Sequence, residues 1–315
     1  MPNVVGHDRF ALAFSPEHWT WTEKLNKFYG APYPDNRFAK NAVASCIDHR
    51  RKFFILAGLA NRLRGTLVQD NEEMDTLGHT MAERSQEYAA LFEVLVCELY
   101  SVLDGMRFTA YEFFAGCRGI QKNSTSKFFS NAAENRYGPA FPEEIRVILA
   151  TAYADWFVPL RKLRTSLTHG GLGSCVYDRH SNKISYVNSS LGSSTQAWVT
   201  ADAEGFINPL AEKVFALEDA YFKHFYSGLA PLETQLPCGF YHGKIYFRKV
   251  LPVDNLTWHS GRCTTRQHFN AATDYYCPLT SECAAYAAAE SSDPVMLPSP
   301  ASDSPSSPSQ PGQGS

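Results

Sequence analysis

The chain lacks several things that would have decided its class at once. No run approaches the ~18 consecutive apolar residues of a membrane span, and no basic stretch followed by an apolar one opens the sequence. These absences predict a soluble, cytoplasmic protein with no membrane partner. An excess of positive charge is missing too. With 29 Lys and Arg against 32 Asp and Glu, the net charge is -3 and the pI is near 6.4, so the chain does not coat nucleic acid through bulk charge. A small local basic site remains compatible with that balance. The Gly-x-Ser-x-Gly elbow, the Walker Gly-Lys-Ser/Thr and His-Glu-x-x-His are all absent, which removes sequence support for common hydrolases, nucleotidases and zinc proteases.

Cysteines are present but unpaired in pattern. The eight (46, 97, 117, 175, 238, 263, 277 and 283) are scattered, several inside helical apolar patterns, so reduced buried thiols are predicted rather than a disulfide framework. Cys238, Cys263, Cys277 and Cys283, with His242, His259 and His268, are the candidates for a zinc site. Structural zinc sites show close ligand pairs such as Cys-x2-Cys, and this chain has none, so no metal and no other cofactor is expected.

What the sequence does have is length for a large core, 315 residues, and 44% hydrophobic and 13% aromatic content. Ser15-Pro16-Glu17 reads as a helix start, with a short helix to about Tyr29 ended by Gly30 and the Pro32/Pro34 pair. Residues 1–35 form a packing arm in this reading. A mixed-polarity helix over 36–68 carries Arg50-Arg51-Lys52, a patch expected to be a solvated face. The strongest helix is predicted over 71–115, with Leu91, Leu95, Leu99, Val102 and Met106 in a stripe thickened by Val94, Val96, Cys97 and Leu103. Cys117-Arg-Gly119 breaks it, and a shorter helix follows at 124–136. Another opens at Pro142-Glu143-Glu144, with a proline and two acids at its positive end. Ile145, Ile148, Leu149, Ala152, Trp156, Leu160, Leu163 and Leu167 mark its buried stripe, with a kink predicted at Pro159.

Beyond residue 171 the period changes. Cys175–Asp178 and Lys183–Val187 alternate about His180-Ser181-Asn182 and predict a β-hairpin, with Ala197–Val199 as a short third strand. Phe206, Leu210, Val214, Leu217, Tyr221 and Phe225 return to the helical period. A second hairpin is predicted at 238–252, turning at His242-Gly243. The region 253–283 carries no clear pattern, and Pro and Ser fill more than half of residues 290–315, predicting a disordered tail. The fold class is therefore mainly α, an antiparallel helical bundle with one or two small β-hairpins on its C-terminal side. Its parts are the arm at 1–35, a bundle at 36–228 with a hairpin at 175–188, a small mixed extension at 229–289 and the tail at 290–315.

The candidate site closes the predicted helix: Arg161-Lys-Leu-Arg-Thr-Ser-Leu-Thr-His-Gly-Gly171. Arg164 falls at the edge of the buried stripe. His169 lies about 140° from it if the helix simply continues, so the two converge only where the helix ends or frays, and a Gly pair ends helices. Gly170-Gly-Leu-Gly173 is not a phosphate loop, because it follows a helix, at the negative end of the dipole. The plain alternative is that Arg164 snorkels at the surface and His169 bonds the last carbonyls.

The run from Trp156 to Gly171, at the end of a helical region, resembles the HEPN superfamily, whose hallmark is an Arg followed four to six residues later by a His. The resemblance extends over about 36–228 as a helix order and is specific over about 156–171. It implies a HEPN-like helical bundle and a dimeric, metal-independent endoribonuclease, placed in a toxin–antitoxin or phage-defence system with RNA as substrate and an antitoxin protein as a further partner. In that chemistry His169 is the general base for a ribose 2′-OH and Arg164 holds the scissile phosphate. Arg161 and Lys162 bind flanking phosphates, and Thr165 lies beside them. Many active members carry Asn, Asp or His directly after the Arg; this chain has Thr165. The alternative class is a non-catalytic HEPN-like module that binds RNA, nucleotide or another protein.

Overall fold

The computed structural model describes residues 11–28, 37–193, 196–241, 243–266 and 277–290. The predicted turn at Gly30, Pro32 and Pro34, residue His242, residue His268 and the Pro/Ser tail lie outside the described residues. The chain is mainly helical with two small antiparallel sheets, and it divides into two compact units. Among the described residues no helix is long and apolar enough to cross a membrane.

The larger unit comprises Ser15–Leu236 and Leu251–Trp258. Its first helix, α1 (Trp21–Phe28), does not start at Ser15 as the sequence predicts. Ser15 makes no capping bond and precedes a single 3-10 turn at Pro16–His18. Thr20 and Glu23 cap α1 reciprocally: Glu23 N–H donates to Thr20 Oγ1 at 3.2 Å and Thr20 N–H to Glu23 Oε2 at 3.1 Å. This Thr-x-x-Glu box satisfies two orphan amide donors at once.

Helix α2 (Arg37–Arg64) is followed by α3 (Leu67–Leu77) and α4 (Glu83–Phe113). The single helix predicted over 71–115 is thus two. Gly78 stops α3 in the left-handed region at φ 74, its N–H closing on Met74 O. Buried Asp70 on α3 then accepts from Ser85 N–H at 2.8 Å and Ser85 Oγ at 2.6 Å, and so caps the first turn of α4. Leu95, Leu99, Val102 and Met106 of α4 are buried as the stripe predicts. Leu91 is half-buried and Val94 lies 41% exposed, so one face of α4 opens to solvent. Helices α2 and α4 approach closely at Gly105, where a Cβ would stand 2.4 Å from Cys46 Sγ; only glycine fits there.

The basic patch of α2 departs from a solvated face at its first residue. Arg50 bonds the fully buried Glu218 at 3.1 Å and Asp219 at 3.2 Å, and stands over the Phe215 ring at 4.6 Å. Arg51 pairs with Glu23 at 2.9 Å, and Lys52 is exposed. Burial outweighs the Arg50 guanidinium and the Thr22 hydroxyl and pushes the Glu218 carboxyl up from 4.5 to about 7. The folded chain therefore holds this proton at pH values where the unfolded chain has released it. The stabilisation is complete below 4.5 and is lost as pH rises through 7. The urea midpoint of wild type should thus fall over this window relative to that of Glu218→Gln; a constant difference between the two proteins would contradict it.

After α5 (Thr125–Ala133), helix α6 (Glu143–Ala152) runs through a π turn at Tyr153–Phe157 into α7 (Val158–His169). The irregularity predicted at Pro159 takes this form. Pro159 has no N–H for the carbonyl four residues back and its ring crowds that carbonyl, which a wider turn relieves. Ile145, Leu149, Ala152, Trp156, Leu160, Leu163 and Leu167 are buried along one stripe, and Phe157 stacks on Phe129 at 3.9 Å. Strands β2 (Ser174–Asp178), β3 (Lys183–Ser193) and β4 (Gln196–Thr200) form an antiparallel sheet, with Cys175 opposite Tyr186. Helix α8 (Ala203–Ser227), capped by Asp202 accepting from Gly205 N–H at 2.7 Å, completes the unit.

Among the described residues the smaller unit holds 11–14, 237–241, 243–250, 259–266 and 277–290. Its sheet is ordered β1 (Ala11–Leu12), β5 (Thr234–Tyr241), β6 (Lys244–Val250) and β7 (Arg262–Cys263), with helix α9 at Ala284–Glu290. Arg248, 1% exposed, donates to Cys238 Sγ at 2.8 Å, reaches Cys283 Sγ at 3.8 Å and lies over the Phe14 ring at 4.3 Å.

Candidate functional site

Helix α7 carries both sequence candidates and places them on different sides. Arg161, Lys162, Arg164 and Thr165 line a cleft of about 710 Å³ with Tyr100 and Asp104 of α4 and the residues that open α5, Ser124 to Ser126. Ser124 caps α5 by accepting from Lys127 N–H at 3.2 Å. The cleft thus combines three cations of one helix with the positive end of another.

Each cation is held differently. Arg161 donates to Ser126 Oγ, which fixes it against α5. Arg164 is half-buried over the Tyr100 ring, its guanidinium carbon 5.1 Å from the centroid, and makes no hydrogen bond or ion pair among the described residues. Lys162 is exposed and equally without such a partner. The cleft's own carboxylate makes no ion pair with them: Asp104 accepts from Thr125 Oγ1, which in turn accepts from Arg107 Nε at 3.0 Å. Tyr100 stays a neutral ring, because burial raises its hydroxyl above the ordinary value, with Asp104 adding to the shift against three nearby arginines. A forked, permanently charged guanidinium beside an ammonium, both open to a cleft, is suited to phosphate oxygens.

His169 does not line that cleft. Helix α7 continues through it, and the last turn closes with Gly170 N–H on Ser166 O at 2.8 Å. The helix end therefore does not fray to bring His169 round to Arg164, and the two project about 140° apart. Nor does His169 bond the last carbonyls; it is exposed and makes no hydrogen bond or ion pair among the described residues.

The glycines after His169 have a packing role. A Cβ at Gly173 would stand 2.5 Å from the ring of buried Tyr186, and one at Gly170 2.5 Å from Ser190 Oγ. Gly173 N–H donates to Glu93 Oε1 at 2.8 Å, Tyr186 Oη to the same oxygen at 2.5 Å, and Asn188 Nδ2 to Gly171 O at 2.8 Å. The loop amide thus meets a carboxylate, and this network ties the exit of α7 to α4 and β3. It fixes where His169 stands.

All eight cysteines are free thiols. Burial pushes Cys175 up to about 12 and Cys277 to about 11, so both stay protonated and unreactive near neutrality. Among the described residues no three His, Cys, Asp or Glu side chains are grouped to hold a metal ion. The partners that build the cleft, Tyr100, Asp104 and Ser126, were not visible in the sequence; they lie 43 to 69 residues before α7 ends at His169, and no local spacing links them to Arg164. Comparisons with protein-family models, with curated proteins and with solved structures find no match to the chain.

Proposed function

We propose that the chain is a HEPN-like helical bundle acting as a metal-independent endoribonuclease. Arg164 clamps the scissile phosphate and Arg161 and Lys162 hold its neighbours, with Thr165 beside them. His169 takes the proton from a ribose 2′-OH, whose oxygen attacks the adjacent phosphorus. The bond to the 5′-oxygen breaks, leaving a 2′,3′-cyclic phosphate and a 5′-hydroxyl. The observation that carries this reading is a cleft lined by three cations, none with an anionic partner among the described residues, on the helix that ends in an exposed, unbonded histidine.

The 140° between Arg164 and His169 sets a condition. One copy does not present both groups to one phosphate, so the working site combines Arg164 of one copy with His169 of the partner subunit in a homodimer. An RNA-cleaving protein of this kind acts in the cytoplasm, in a toxin–antitoxin or phage-defence setting, with an antitoxin protein as its second partner. The same 140° supports a second reading, a non-catalytic module that binds RNA, nucleotide or a protein through the basic cleft, and Thr165 where many active members carry Asn, Asp or His favours it too.

Incubating purified protein with a mixed, end-labelled RNA pool in EDTA separates the two. Cleavage leaving 2′,3′-cyclic phosphate ends is the result expected of the enzyme. Retention of labelled RNA on the protein without cleavage would favour the binding module, and a metal requirement would contradict the mechanism.

A further inference from the structure

Phosphodiester cleavage needs two proton transfers, and the residues named so far supply one. The 2′-oxygen loses a proton to His169, while the 5′-oxygen must gain one as its bond to phosphorus breaks. A second histidine lines a hollow that shares a residue, Asp104, with the Arg164 cleft. His49 of α2 bonds Glu98 of α4 through Nδ1, at 2.6 Å from Glu98 Oε2. Their side chains are 25% and 16% exposed, so the pair is neither sealed in the core nor loose in solvent. With Nδ1–H given to the carboxylate, Nε2 is the atom left to take up and release a proton.

His49 lines a concavity of about 330 Å³ with Ser45, Ser101, Asp104 and Arg107. Asp104 also lines the Arg164 cleft, so the two hollows share this side chain of α4. Cys97, one residue before Glu98, lies within electrostatic reach of both Arg164 and Glu98. Arg107 adds a mark of its own: its Nη1 is buried and has no hydrogen-bond partner, although Nε is satisfied by Thr125. A buried donor of this kind is commonly satisfied by an ordered water or ion. Among the described residues the other histidine–carboxylate pair, His224 with Glu144 at 2.9 Å, lies between α6 and α8 with its carboxylate 83% exposed and no guanidinium lining its hollow.

We propose that His49 is the general acid of the reaction, its Nε2–H passing to the 5′-oxygen as the P–O5′ bond breaks, with Glu98 as the positioning residue that holds the ring. The proposal rests on the ribonuclease reading and adds to it a catalytic residue outside the Arg-x4-His run. It balances the reaction: one proton leaves the 2′-OH for His169, one leaves His49 for the 5′-hydroxyl, and solvent exchange restores both histidines.

Two matched oligoribonucleotides test it, one with the natural 5′-oxygen and one with a bridging 5′-sulfur at the position wild type cuts. A thiolate leaves without being protonated, so the sulfur substrate does not need the acid. His49→Gln is expected to cut the oxygen substrate about 10²-fold slower than wild type and the sulfur substrate within about threefold of it. Glu98→Gln follows the same pattern more weakly, His169→Ala is slow on both substrates, and His224→Gln matches wild type on both. His49→Gln that equals wild type on oxygen, or is slowed equally on both, would make the pair a tether between α2 and α4 and overturn the assignment alone. Wild type that cuts neither substrate would overturn the ribonuclease reading and this assignment with it.

Discussion

Alanine in place of His169 is expected to slow RNA cleavage by about 10²–10⁴-fold, the usual contribution of a positioned general base. Alanine at Arg164 is expected to cost about 10²–10³-fold, the range for removing one donor to a developing phosphoryl charge. Neither loss should come through unfolding. His169 is exposed and bonded to nothing among the described residues, and Arg164 contributes only a ring contact with Tyr100. Surface changes of that kind usually move stability within about 0.5 kcal/mol. Thermal midpoints close to wild type, beside the kinetic loss, therefore form part of the expected result. Arg164→Lys should restore only part of the rate, since a point charge replaces a fork that can grip two phosphate oxygens. RNA binding separates the roles further: Arg164→Ala weakens it, whereas His169→Ala leaves it intact. Equal cleavage by wild type and both variants would remove the two residues from the chemistry.

The course from α6 through α7 was legible in advance because burial there follows one period. Leu149, Trp156, Leu160, Leu163 and Leu167 recur at helical spacing, and all are buried. The hairpin β2–β3 was legible for the same reason at period two, with Ile184 and Tyr186 inward. The break at Gly78 was not, because an isolated glycine in an amphipathic run is tolerated as often as it terminates one. Thr20-Trp-Thr-Glu23 was readable as a capping box, yet the earlier Ser15-Pro16-Glu17 offered an equally good local signal. Local chemistry does not choose between adjacent caps; the packing of α1 does. Arg50 shows the converse. Within its own helix it looks like a solvated charge, and its partner Glu218 arrives from 168 residues away.

The candidate site divides along the same line. Arg161, Lys162, Arg164 and Thr165 share one helix and one cleft, as spacing on a single helix allows. The wall opposite them, and the hollow that holds His49 and Glu98, exist only once α2, α4 and α5 are assembled. The angle between Arg164 and His169 was computable from the sequence. Whether the helix persisted to His169 was not, since a following Gly pair is compatible with fraying and with a clean stop. Here the stop comes one residue later, held by the close approach of Gly170 and Gly173 to β3.

That angle makes the shared site the central claim, and mixing the two inactive variants tests it most directly. In a heterodimer of Arg164→Ala with His169→Ala, one site has lost both groups and the other keeps an intact Arg164 and an intact His169 from opposite chains. After unfolding and refolding equal amounts together, about half of the dimers are mixed and each has one working site of two, so cleavage should recover to about a quarter of the wild-type rate. Each variant refolded alone should stay at background. No recovery in a mixture shown to contain heterodimer would contradict a site built from two copies.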